Sequence, residues 1–121
     1  MKILAIDDDK TVRLLVSHSL TKAGHQVVMA ENGEEGLQKA VEENPDLILL
    51  DVMMPGIDGL QVCSQLKNDE PTKSIPIFML TGKTQMQDIE EALSKGADNY
   101  ISKPFDPLKL GKIIEVKLRN L

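Results

Sequence analysis

The chain has 121 residues, of which 41% are hydrophobic and 27% charged, with a formal net charge of -5. That length suits one domain (residues 1–121), and the apolar share supports a packed core. The negative balance argues against a nucleic-acid-binding surface, which needs a basic face for phosphates. Charge is unevenly spread, however: Lys103, Lys109, Lys112, Lys117 and Arg119 make the last stretch basic against only Asp106 and Glu115, leaving the rest strongly acidic.

The elements follow in chain order. "KILAI" (2–6) is an apolar run that predicts a strand. Val12, Leu15, Val16, Ser19 and Leu20 then recur at helical spacing, with Gly24 as the stop. The weaker run "QVVMA" (26–30) predicts a second strand, and residues 33–43 a helix ended by Asn44-Pro45. "DLILL" (46–50) predicts a third strand and "GLQVCSQLK" (59–67) a third helix. "IPIFML" (75–80) predicts a fourth strand, and "MQDIEEALSKG" (86–96) a helix with Met86, Ile89 and Leu93 on one face and Gly96 as its stop. "NYIS" (99–102) is a short fifth strand. A fifth helix spans 107–119, opened by Pro107 and turning Leu110, Ile113 and Ile114 inward.

Apolar runs without alternation are the mark of strands buried on both faces. Five of them alternating with five helices give an α/β, doubly wound parallel sheet, whose ligands bind at the C-terminal strand ends near a switch in strand order. Cys63 is the single cysteine, which excludes an intramolecular disulfide and a multi-cysteine metal site and leaves a small, semi-buried helix residue. No basic-then-apolar leader is present, and no apolar run approaches the roughly 18 residues that span a bilayer. A soluble, cytoplasmic protein without membrane insertion is therefore expected.

Asp7 and Asp8 come after the first strand, Asp51 after the third, Thr81 after the fourth and Lys103 after the fifth. Each has a plain structural explanation alone, and Asp9 fits the N-cap of the helix that begins at Lys10. Together they converge three carboxylates, a hydroxyl and an ammonium on one sheet edge. Carboxylates that close raise one another's pKa, and a bound cation relieves the strain. An all-oxygen donor set suits a hard cation such as Mg²⁺, with Mn²⁺ as an alternative. Neither His18 nor His25 lies at a strand end, which disfavours zinc or imidazole chemistry. A metal site flanked by Lys and Thr is suited to a phosphoryl group, and Asp51, after the most hydrophobic strand, is the best candidate nucleophile for an acyl phosphate. Asp7 and Asp8 are then metal ligands.

Four stretches, "IDDD…R" (6–13), "LLDVMMPGIDG" (49–59), "MLTG" (79–82) and "YISKPF" (100–105), resemble the signature of CheY-like response-regulator receiver domains, in order across the whole chain. The resemblance implies a flavodoxin-like sheet of order 2-1-3-4-5. It further implies that Asp51 accepts the phosphoryl group and that Asp8, Asp51 and the Met53 backbone carbonyl bind Mg²⁺, with Asp7 acting through water. Thr81 and Lys103 would contact phosphoryl oxygens, Tyr100 would be the aromatic switch residue, and the Lys103–Pro104 peptide would be cis. Pro55, Gly56 and Gly59 would shape the loop over the site. The implied role is a signalling switch of a two-component system or phosphorelay rather than an enzyme, although it assists its own phosphorylation and dephosphorylation.

The implied partners are a sensor histidine kinase or histidine phosphotransfer protein as donor, and a downstream effector protein or fused effector domain as output. The face formed by the fourth helix, fifth strand and fifth helix would change, with a phosphorylation-dependent homodimer as one possible readout. Met53 departs from the polar residue common at its position, Lys83 places a positive charge two residues after Thr81, and Gly82 is small, as access to the phosphate requires.

A flavodoxin-like nucleotide binder would need a Gly-rich or Ser/Thr-rich phosphate loop where "DDDKT" stands. An aspartyl-nucleophile phosphatase would pair Asp51 with a second Asp at position 53. A receiver acting purely as an interaction module would not need the full set of Asp7, Asp8, Asp51, Thr81 and Lys103.

Overall fold

The computed structural model describes residues 1–82 and 86–121, with residues 86–88 described by backbone alone. Strand β1 (Lys2–Ile6) leads through helix α1 (Lys10–Lys22) to β2 (Gln26–Ala30). The chain continues through α2 (Gly33–Glu43), β3 (Leu47–Asp51), α3 (Gly59–Asn68), β4 (Ile77–Gly82), α4 (Met86–Ser94), β5 (Asn99–Lys103) and α5 (Leu110–Arg119). All sheet pairings are parallel, and the strand order is β2-β1-β3-β4-β5.

Side-chain alternation divides the strands between two buried layers, which is why their sequences are continuously apolar. Leu4, Ile6, Ile48, Leu50, Ile77 and Met79 face one side, where Ala40, Val62, Leu66 and Ala92 cover them from α2, α3 and α4. Ile3, Ala5, Leu47, Leu49, Phe78 and Leu80 face the other, against Val16 and Leu20 of α1 and Leu110 and Ile114 of α5. Cys63 is fully buried rather than half-buried, and burial pushes its thiol up to about 11, so it behaves as a small core residue.

Several helix ends match the sequence expectation. The Asp9 carboxylate accepts from the Thr11 and Val12 amides at 2.8 and 3.4 Å, capping α1. Gly24 and Gly96 adopt positive φ just past α1 and α4, where a residue with a Cβ would be strained.

Other boundaries shift. β4 begins at Ile77 rather than 75 because Pro76 has no N–H; it still contributes its carbonyl, which accepts from the Ile48 amide. β4 also runs on through Gly82, since Thr81 and Gly82 pair with Ser102 and Lys103. Thr81 and Lys103 thus end strands rather than following them. α5 begins at Leu110 rather than 107, because Asp106 forms a turn of its own: its carboxylate accepts from the Leu108 amide and its carbonyl from the Lys109 amide. On α4, Ala92 is buried in the place expected for Leu93, which is exposed, and Leu15 of α1 is likewise exposed.

Candidate functional site

The strand order reverses between β1 and β3, because β1 connects onward to β2 on one side while β3 lies on the other. Doubly wound sheets form their crevice at such a reversal. Ile6 pairs with Leu50, so the next residues, Asp7 and Asp51, emerge side by side. Asp51 pairs with Leu80 and Gly82 with Lys103, which brings Thr81 and Lys103 to the same edge.

Lys103 Nζ lies 2.8 Å from Asp7 Oδ2 and 3.2 Å from Asp51 Oδ1. Asp7 and Asp51 are buried, whereas Asp8 is exposed; one carboxylate oxygen from each of the three lies within 4.8 Å of the others. Among the described residues, the Met53 amide is a further donor to Asp51 Oδ1, at 3.4 Å. Burial and the Asp7 charge push the Asp51 carboxyl up from 3.8 to about 7, even though Lys103 and the Met53 amide act to lower it. Burial also works against the Lys103 ammonium, but the hydrogen bond and charge of Asp7 and the charge of Asp51 outweigh it and raise its pKa. Among the described residues, one lysine therefore leaves the cluster with excess negative charge. Hard oxygen donors in this number, with that excess, fit a divalent cation of the Mg²⁺ type.

The remaining expected residues take distinct places. Thr81 is buried, and its hydroxyl donates to the Gly82 carbonyl at 3.2 Å rather than to the carboxylates. Tyr100 is half-buried against the core layer of α2, α3 and α4, with Lys117 Nζ 5.4 Å from its ring centroid. The Lys103–Pro104 peptide is cis. The Met53 side chain stands 69% exposed beside the site. Lys83 lies outside the described residues.

The loop after β3 is closed by Gly59, whose amide donates to the Val52 carbonyl at 3.0 Å. Asp58 caps α3 through the Gln61 amide at 2.9 Å, and Gln61 returns the contact to the Asp58 amide. Arg13 is a residue whose role the sequence did not reveal: its Nη1 donates to the Asp7 carbonyl at 2.7 Å. The signals available were its place at the end of the "IDDD…R" stretch and its position a helical turn beyond the Asp9 cap, which aims a long side chain back over the strand end.

The family model of the response regulator receiver domain matches residues 3–115. The chain belongs to that family. This receiver is 42% identical over 119 residues to the alkaline phosphatase synthesis transcriptional regulatory protein PhoP of Bacillus subtilis, a match covering 98% of this chain and 49% of PhoP. It is 40% identical to the protein PilH of Pseudomonas aeruginosa, with 97% of each chain covered. Among solved structures, the chemotaxis protein CheY4 of Vibrio cholerae superposes with a TM-score of 0.89 at 36% identity, covering 95% of this chain and 96% of that one. The receiver spans about half the length of PhoP and of the other transcriptional regulators it matches, and nearly all of PilH. Its sheet order and five helices are those of the CheY-like fold. Among the described residues, no helix is long and apolar enough to cross a membrane.

The raised Asp51 pKa has a consequence for stability. A folded-state pKa above the unfolded value means that the native receiver holds this proton more tightly. The stabilisation is full below pH 3.8 and is lost as pH rises toward 7. Asp51→Asn removes this dependence. Measured by urea denaturation without divalent metal, the advantage of the variant over the parent is expected to grow from pH 4 to pH 8, by on the order of 3 kcal/mol.

Proposed function

We propose that this receiver takes a phosphoryl group onto Asp51 from a phosphohistidine on a sensor histidine kinase or histidine phosphotransfer protein, and switches its output surface in response. The observation that carries this reading is the convergence of Lys103 on Asp7 and Asp51 beside Asp8. A carboxylate oxygen of Asp51 attacks phosphorus; the O–P bond forms as the P–N bond breaks, and the imidazole nitrogen keeps the electron pair and takes a proton. Asp8, Asp51 and the Met53 carbonyl would hold Mg²⁺, with Asp7 acting through water. The cation, when bound, supplies charge stabilisation for the transferring oxygens. Lys103 exchanges its contact with Asp51 for a phosphoryl oxygen, and the Thr81 hydroxyl leaves the Gly82 carbonyl to donate to another. Hydrolysis of the acyl phosphate by water returns Asp51 to the carboxylate and resets the switch.

Movement of Thr81 frees space next to Tyr100, whose ring turns inward, and the surface of α4, β5 and α5 repacks. That surface then binds a downstream effector, a fused effector domain or a second receiver. The names of relatives such as PhoP, a transcriptional regulator twice this length, support a fused output in a longer protein. Residues 1–121 act in this scheme as one cytoplasmic receiver domain that does not itself contact nucleic acid.

Fluoroberyllate with Mg²⁺ tests the switch. Amide NMR shifts are expected at Thr81, Tyr100 and along α5 in the parent, and none of them in Asp51→Asn. An unchanged response in that variant contradicts the proposal.

A further inference from the structure

Asp7 is tied at each of its polar atoms. Its amide donates to the Ala30 carbonyl at 3.1 Å, and its carbonyl accepts from Arg13 Nη1 at 2.7 Å. Oδ1 accepts from the Asp9 amide at 2.9 Å, and Oδ2 from Lys103 Nζ at 2.8 Å. The Arg13 side chain is mostly covered, at 14% exposure, and its Nη2 reaches Glu31 Oε2 at 3.7 Å, just beyond β2. Glu31 is 66% exposed, so this longer pair contributes little. The bond to the Asp7 carbonyl is short and charge-assisted, and it is the stronger of the two contacts.

A guanidinium beside three clustered carboxylates repels a divalent cation. By charge alone, Arg13 would weaken metal binding. What the bond from Arg13 to the Asp7 carbonyl can offer the site is geometric. The turn after β1 carries both Asp7 and Asp8, and the Arg13 bond fixes the peptide that joins them.

We propose that Arg13 is a positioning residue for the metal site: by holding the Asp7 carbonyl, it sets the angle at which Asp7 and Asp8 present their carboxylates. The inference rests on the reading that Asp7, Asp8 and Asp51 bind Mg²⁺. A lysine at position 13 keeps the charge but, as a point charge on a different stem, lacks the rigid planar guanidinium that meets the Asp7 carbonyl at a fixed angle, and methionine keeps the length without charge.

Calorimetric titration of Mg²⁺ into the parent, Arg13→Lys, Arg13→Met, Glu31→Gln and Asp8→Asn separates the possibilities, with folding checked by circular dichroism. Arg13→Lys and Arg13→Met are both expected to weaken Mg²⁺ binding roughly tenfold, as loss of a group that orients a ligand does. Glu31→Gln should stay within about twofold of the parent, as an exposed partner implies. Arg13→Met binding Mg²⁺ as tightly as the parent, or more tightly, overturns the proposal, since that is the behaviour of a residue acting by charge. If Arg13→Met does not fold, parent-like affinity in Arg13→Lys overturns it equally. A parent that binds no Mg²⁺, or an Asp8→Asn variant that binds it normally, instead refutes the metal reading and the positioning role with it.

Discussion

Gly59→Ala is expected to lower stability by about 4 kcal/mol or more, a large share of the roughly 5–15 kcal/mol that holds a domain folded. A Cβ at position 59 would lie 1.9 Å from the Asp51 carbonyl oxygen, 2.8 Å from its carbonyl carbon and 2.9 Å from the Val52 Cα. All three are backbone atoms, so no rotamer change can make room. The strand end that carries Asp51 would have to move, or α3 would have to leave it. Thermal melts of the variant should show an early or absent transition. A variant as stable as the parent would mean that Gly59 does not pack on the Asp51 carbonyl as described.

Lys103→Met should be the next most damaging substitution, at about 3 kcal/mol near pH 8. The Lys103 ammonium is the cation shared by Asp7 and Asp51, whose side chains are only 1% and 9% exposed. Its loss leaves two buried carboxylates with no paired charge among the described residues, a worse outcome than never having had the pair. The loss should shrink at pH 5, where the cluster can take up a proton, and Mg²⁺ should recover part of it at pH 8. Urea denaturation at the two pH values, with and without Mg²⁺, measures both effects. Equal destabilisation at pH 5 and pH 8 would show that Lys103 acts through packing of its methylenes and not through its charge.

The acid cluster was legible in the sequence because its logic is topological. Parallel strands with unbroken apolar runs must end on one edge, so Asp7, Asp8, Asp51, Thr81 and Lys103 could be gathered there from their place after each run alone. Asp9 could be set apart as a cap by its spacing to α1. What stayed hidden depends on partners that carry no side-chain signal. Arg13 binds a backbone carbonyl, and Gly59 is required by another, the Asp51 oxygen. The start of β4 turned on Pro76 offering a carbonyl without an N–H, and the start of α5 on Asp106 closing a turn of its own. Leu93 and Ala92 differ by one residue on α4, and their relative burial is set by how the helix lies on the sheet, which periodicity does not specify.

Chemical mapping of the modified residue shows whether Asp51 takes the phosphoryl group. The receiver is incubated with acetyl phosphate and Mg²⁺, the acyl phosphate is reduced with borohydride, and the digest is sequenced by mass spectrometry. Reduction at Asp51 alone, dependent on Mg²⁺ and lost in Asp51→Asn, is the predicted result. Modification at Asp7 or Asp8 instead, or no modification of a folded, Mg²⁺-binding receiver, would contradict the account.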